Sequence, residues 1–313
     1  MSYFTGSANS YEELRDAIKA ACVLKGWTDQ GGGLVSHGGL YVNLQHNANG
    51  VLAYVGTGIT AGALTGGVAG SGARLGKISP GSRFPVVTWP ATYHLFIHEN
   101  PDEVYVVLNF NVDHHYWMCF GASDIPGLGG SGNWYAGCAV PTYSWGSYGD
   151  SQHSYSMTES TGANGYSGGS GPWWHTSFFS DGLGAGAAGH GIHVGIDGIE
   201  WTSLLGSSAV GFCTAQRFLN GLPQGPNPWN GEAVLHPISV FMARASSKVS
   251  LVLQKRHARY VRIDNYEPGQ LITLGHEQWK VFPFAKKNAT SRNSTPSDSG
   301  TFGWAIRYVV DEV

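Results

Sequence analysis

Charge is what this sequence has least of. Asp, Glu, Lys and Arg make up 12% of its 313 residues, half the roughly 25% of an ordinary globular chain. Solvated helices covered in Lys and Glu therefore cannot account for much of it. The net charge is −3, and nucleic-acid binding by the basic segment 244–292 is disfavoured because Lys255, Arg256, Arg259 and Arg262 sit around strand-like apolar residues and not on a basic helix or arm. Cysteine is scarce as well. Cys22, Cys119, Cys138 and Cys213 are scattered without a C-x-x-C pair, which argues for buried free thiols in a chain made in the cytoplasm and against structural zinc. No run approaches the ~18 apolar residues of a membrane span. The opening Met1-Ser-Tyr-Phe-Thr-Gly6 has neither the basic nor the apolar segment of a signal peptide. Catalytic signatures are missing too: there is no His-Glu-x-x-His, no phosphate-loop glycine spacing, and no Gly-x-Ser-x-Gly between a strand and a helix.

Glycine fills the gap, at 46 residues, about twice the usual ~7%, with 11 Trp and 15 Tyr beside it. The expected fold is mostly β: antiparallel, sandwich-like sheets, one N-terminal α-helix, and long loops rich in Gly and aromatics. Three regions are expected: a helix plus sheet over 1–120, a loop-dominated Gly/Trp/Tyr-rich insertion or subdomain over 121–235, and a C-terminal β region over 236–313 that completes the core.

Ser10-Tyr-Glu-Glu13 fits a capping box, and Leu14, Ile18 and Cys22 repeat every four residues. Gly26 stands where a left-handed C-terminal cap belongs, followed by Trp27. The run Val104–Val112 predicts a strand that turns at Asp113-His114-His115 and returns over Tyr116–Phe120. Further strands are expected over Gly39–Gln45, Val51–Val55 and six tail segments between Ile238 and Val310.

Charges are segregated along the chain. No Lys or Arg lies between Arg83 and Arg217, a stretch holding ten acids, whereas 244–292 carries ten Lys and Arg against three acids. The two regions can attract each other within a subunit or between neighbours. Lys255, Arg256, Arg259 and Arg262 read as a solvated strand face or a subunit contact. The His114-His115 and His190/His193 groupings lack a third ligand at a diagnostic spacing. Cys119 near His114 and His115 is a nominal thiol–imidazole pair that reads better as a core cysteine. Asp102, Glu103, Asp150 and Glu159 are the carboxylates a glycoside hydrolase would need. No catalytic residue, metal ligand or cofactor is assigned. Candidate assembly contacts are Leu14, Ile18, Trp27, Arg256, Arg259 and Arg262. Candidate glycan or receptor contacts are Trp134, Tyr135, Trp145, Trp173 and Trp174.

Several segments resemble tail-associated virion proteins of tailed bacteriophages. They are Met1–Gly6, the helix end at Gly26-Trp27, Tyr93-His-Leu-Phe-Ile-His-Glu-Asn-Pro-Asp-Glu-Val-Tyr105, Gly132-Asn-Trp-Tyr135, Leu274-Gly-His-Glu-Gln-Trp-Lys-Val-Phe-Pro283 and Gly300-Thr-Phe-Gly-Trp-Ala-Ile-Arg-Tyr308. The resemblance implies a structural component of the virion tail near its distal end, where baseplate and fibres meet. With the scarce charge and abundant aromatics, manufacture in the host cytoplasm, homo-oligomerisation and contacts with other tail proteins are expected, and contact with a host surface glycan or receptor is the alternative. The resemblance carries no catalytic residue. A glycan-binding module and an envelope-glycan hydrolase are the competing classes.

Overall fold

The computed structural model describes residues 1–68, 72–76, 86–137, 190–202, 211–213, 234–244, 248–263, 265–283, 287 and 302–308. The chain is mostly β, its sheets are antiparallel, and the described residues contain a single helix. It opens with β1 (Ser2–Ala8) and α1 (Tyr11–Leu24). The strands β2 (Thr28–Gly31), β3 (Leu34–His37), β4 (Leu40–Asn47) and β5 (Gly50–Gly56) follow. A small hairpin comes next, β6 (Gly58–Thr60) with β7 (Ala63–Thr65), and then β8 (Ala73–Gly76). β2, β3, β4, β5 and β8 make a five-stranded meander sheet.

The helix forms as its ends dictate. Ser10 Oγ accepts the Glu13 amide at 3.1 Å. The Glu13 carboxylate reaches one residue further back than a standard capping box, taking the Asn9 backbone N–H at 2.8 Å. Gly26, at φ +85°, donates to the Val23 carbonyl, and Trp27 N–H donates to that of Cys22. This paired pattern is the Schellman motif. Tyr11, Leu14, Ile18, Ala21 and Cys22 are buried, and the helix packs on β3, β4 and β5 as well as on β1 and the strand Ala91–His98 of the next sheet.

That next sheet is the largest. β9 (Ala91–His98), β10 (Glu103–Phe110), β11 (His114–Ala122), β12 (Asn133–Gly137), β13 (His190–Ile196) and β14 (Ile199–Thr202) form a meander, with β1 added beside β9. Because both faces of β10 are covered, it reads as a continuous apolar run, buried from Glu103 to Leu108. The turn between β10 and β11 lies at Asn111–Asp113, two residues before its expected place. The Asn111 side chain determines this. Its Oδ1 accepts the Thr88 N–H and its Nδ2 donates to the Val86 carbonyl, both at 2.9 Å.

A third sheet holds β15 (Gly211–Cys213), β16 (His236–Arg244), β17 (Lys248–Arg262), β18 (Leu271–Leu274), β19 (Glu277–Pro283) and β20 (Phe302–Tyr308), in the order β15-β16-β17-β20-β19-β18. Aromatics join it to the large sheet: Trp304 stands 5.5 Å from Tyr105 and 5.4 Å from Trp117, and Phe282 5.9 Å from Phe96.

Within 121–235, residues 123–132 form a Gly-rich loop as expected, but other described residues are strands. The boundary at 121 falls inside β11, and β12, β13 and β14 are strands of the large sheet, while β15 belongs to the third. Its glycines mislead because some mark close approach and not turns. A Cβ on Gly121 would overlap the Asp102 carbonyl, and one on Gly191 would press on the Tyr135 ring. Residues 138–189, 203–210 and 214–233 lie outside the described residues.

Candidate functional site

The most unusual chemistry sits where the third sheet meets the large one. β17 pairs with β16 through Gln254 opposite Ser239 and resumes at Arg259 opposite Pro237, while its pairing with β20 begins only at Ala258. Residues 255–257 therefore fall between ladders, and their backbone groups need other partners. Glu103 supplies them from β10. Its Oε1 accepts the Arg256 N–H at 3.0 Å and its Oε2 the His257 N–H at 2.9 Å. Tyr105 adds its hydroxyl to Oε2 at 2.8 Å. On the opposite side, Arg259 Nη1 donates to the carbonyls of Lys255, Arg256 and Ala258 at 2.8–3.0 Å. Its guanidinium lies 5.0 Å from the Trp279 ring centre. A carboxylate and a guanidinium thus bracket the irregular stretch, and the two sheets are joined there.

Side chains alternate along this stretch. Lys255 and His257 point inward, in phase with buried Leu253, while Arg256 is exposed. Lys255 has no exposed surface. Its Nζ lies 4.2 Å above Trp134, 5.6 Å from the Tyr105 ring centre and 3.1 Å from Cys119 Sγ. His257 stacks on His98, rings 4.2 Å apart and 6° from parallel.

Burial pushes Glu103 up to about 7 against the pull of its hydrogen bonds. It drives His98 well below the ordinary histidine range and holds His257 down at about 4. It also raises the Cys119 thiol, partly offset by Lys255. Groups sealed in this way hold two sheets in register and present no open face on which a substrate could seat. Asp102 faces elsewhere, bonded to His37 at 2.8 Å. Asp102 and Glu103 therefore do not flank a common gap as the two carboxylates of a glycoside hydrolase must. Asp150 and Glu159 lie outside the described residues.

The residues singled out in the sequence are dispersed. Leu14, Ile18 and Trp27 are buried in the chain's own core, with Trp27 edge-on to Phe120 and stacked on His37. The helix lies on its own sheets, so these three have no surface to offer a neighbour. Trp134 and Tyr135 are equally enclosed, one beneath Lys255 and the other against Trp201, and neither ring face is open to a sugar. Lys255 is buried instead of lining a solvated strand face. Arg256 is exposed and bonds Asp124 at 2.7 Å, and Arg244 bonds Asp197 at 2.6 Å. The acidic centre and basic tail thus meet within one chain at both places. Arg262 lies on β17, its side chain outside the described residues, as are Trp145, Trp173 and Trp174.

The histidine groupings also separate. His114 pairs with Asp113 at 2.7 Å, whereas His115 is buried and pushed down to about 3 by desolvation. His193 accepts the Ser131 N–H at 2.8 Å. Among the described residues no three His, Cys, Asp or Glu side chains gather as a metal site would require.

Two surface features complete the picture. At the start of α1 a cleft of about 350 Å³ is lined by Tyr11, Glu12, His46, Asn47, Val86 and Trp89, among others. At the β10–β11 turn, Val112 is 95% exposed at φ +72°. Val86, 63% exposed, is tied to that same turn through Asn111. No family model matches the chain, and no curated protein matches its sequence.

Proposed function

We propose that this chain is a structural subunit of a bacteriophage tail, placed at its distal end, and that it works by being assembled with copies of itself and with other tail proteins. The observation that carries the assembly reading is Val112. A β-branched residue at positive φ is costly, and here it projects an apolar side chain into solvent beside exposed Val86. The positive φ belongs to a tight turn closed by the Asp113 N–H on the Asn111 carbonyl at 2.9 Å, but packing among the described residues gives no reason for an exposed apolar side chain at its tip, whereas insertion of the tip into a partner's pocket gives one. The scarcity of charge supports the same reading, because interface centres are depleted in Lys, Glu and Asp. The phage context rests on the segment resemblances.

The test is the assembly state of the purified chain and its incorporation into tail particles. Wild type is expected to form a discrete oligomer, and Val112→Asp to remain folded while losing it. A wild-type chain that stays monomeric at every concentration, or tails that contain none of it, would sink the reading.

A second reading, contact with a host glycan, moves away from the enclosed Trp134 and Tyr135 to the cleft at α1. There Trp89 stands edge-on to Tyr11 at 5.0 Å beside Glu12 and His46, an indole with polar neighbours. Loss of glycan-array binding on Trp89→Ala is the outcome this reading requires.

A further inference from the structure

Cys119 and Lys255 come from different sheets, β11 and β17, and each has no exposed surface. Their reactive atoms, Sγ and Nζ, lie 3.1 Å apart. Neither strand can drift. Cys119 is registered between Tyr105 and Ala136, and the residues after Lys255 are held by Glu103. A nucleophilic amine fixed against a thiol reacts as an intramolecular pair, at an effective concentration far above that of any dissolved competitor.

We propose that peroxide converts this contact into an oxygen-bridged covalent link, Cys119 Sγ–O–Nζ Lys255, which fastens the third sheet to the large one.

The chemistry balances in two oxidations. One peroxide oxidises the thiol to a sulfenic acid: its O–O bond breaks, an S–O bond forms and one water leaves. A second peroxide takes two electrons as the N–O bond forms between Nζ and the sulfenic oxygen. The sulfenic hydrogen and one amine hydrogen leave in two more waters. The amine reacts in its neutral form, any ammonium proton being lost to water first. A direct S–N bond would require both atoms to close the gap between fixed strands, whereas one inserted oxygen spans it. Burial also directs the product. Free thiols, larger than peroxide, are kept from the sulfenic acid and form no disulfide, and the amine already in contact competes with sulfinic oxidation for the second peroxide.

The experiment uses the full wild-type chain, reduced and then exposed to hydrogen peroxide, with intact mass and peptide mapping under non-reducing conditions. The expected product gains one oxygen and loses two hydrogens, about 14 Da. It joins the Cys119 and Lys255 peptides, blocks tryptic cleavage after Lys255 and reverts with a phosphine reductant. Peptide mapping separates this from oxidation at the other cysteines, and buried Cys22 serves as the internal control. Lys255→Met and Cys119→Ser chains that fold by circular dichroism should both lack the product. An unmodified Cys119, a sulfenic or sulfinic Cys119 with Lys255 still cleavable, or a linked pair without the added oxygen overturns the proposal. Each of these is read on wild type alone.

Discussion

His98 and His257 lie ring on ring across the junction of two sheets, 4.2 Å apart, both as neutral imidazoles. Unfolding returns each to a pKa near 6.5, above its folded value. The native state therefore binds fewer protons, and the stability from this stack is present above about pH 6.5 and lost as pH falls. For His257 the loss runs from about 6.5 down to 4 and is on the order of 3 kcal/mol. Melting curves from pH 7 to pH 4 should show a steep acid-side fall, shallower in His257→Phe. Parallel profiles for the two proteins would count against it.

Glu103 acts in the opposite direction. Its folded pKa of about 7 lies above the 4.5 of the unfolded chain. The native state thus holds the extra proton, and that contribution is full below pH 4.5 and lost as pH rises through about 7. Glu103→Gln should remove this alkaline-side decline. It should also lower stability by about 1–3 kcal/mol, because an amide NH2 then meets one of the β17 donors in place of an acceptor oxygen. Denaturant titrations at pH 5 and pH 8 decide it; an unchanged difference between the two pH values would exclude the assignment.

Val112 carries a strain that glycine does not. Val112→Gly should raise the unfolding midpoint by about 1 kcal/mol equivalent, even while it weakens assembly. A lower midpoint would mean that the side chain is held by contacts inside the chain.

Ser10→Ala removes the acceptor of the Glu13 amide and should cost about 1 kcal/mol. Hydrogen exchange should accelerate first across 11–24. Unchanged exchange there would show the cap to be redundant with the Glu13–Asn9 bonds.

The parts of the fold that sequence makes legible are the local ones. Ser10, Gly26 and Trp27 announce the helix ends because capping is completed within a few residues. The β10–β11 hairpin shows in its apolar run. Its turn is displaced because Asn111 answers to Val86 and Thr88, which no local pattern reveals. Gly121 and Gly191 look like loop residues until the Asp102 carbonyl and the Tyr135 ring are seen against them. The junction was the least legible part. Lys255 and His257 are in phase with Leu253, a signal that was available, but burying a lysine requires Trp134 and Cys119 from the other sheet. Asp124 and Asp197 as partners of the basic segment follow from strand order, which charge segregation alone does not specify.

β1 has a consequence for the order of events on a ribosome. Ser2 pairs with Ile97 and Ala8 with Ala91, so β1 finds its partner only after β2–β8, made later, have emerged. β2 to β5 pair each with the next and can close as they appear, since local pairings form early and distant ones late. Until β9 arrives, β1 remains an unsatisfied edge, exposed to the same edges on neighbouring nascent chains. Crowded synthesis on polysomes is therefore the stage at which this chain is most open to mispairing.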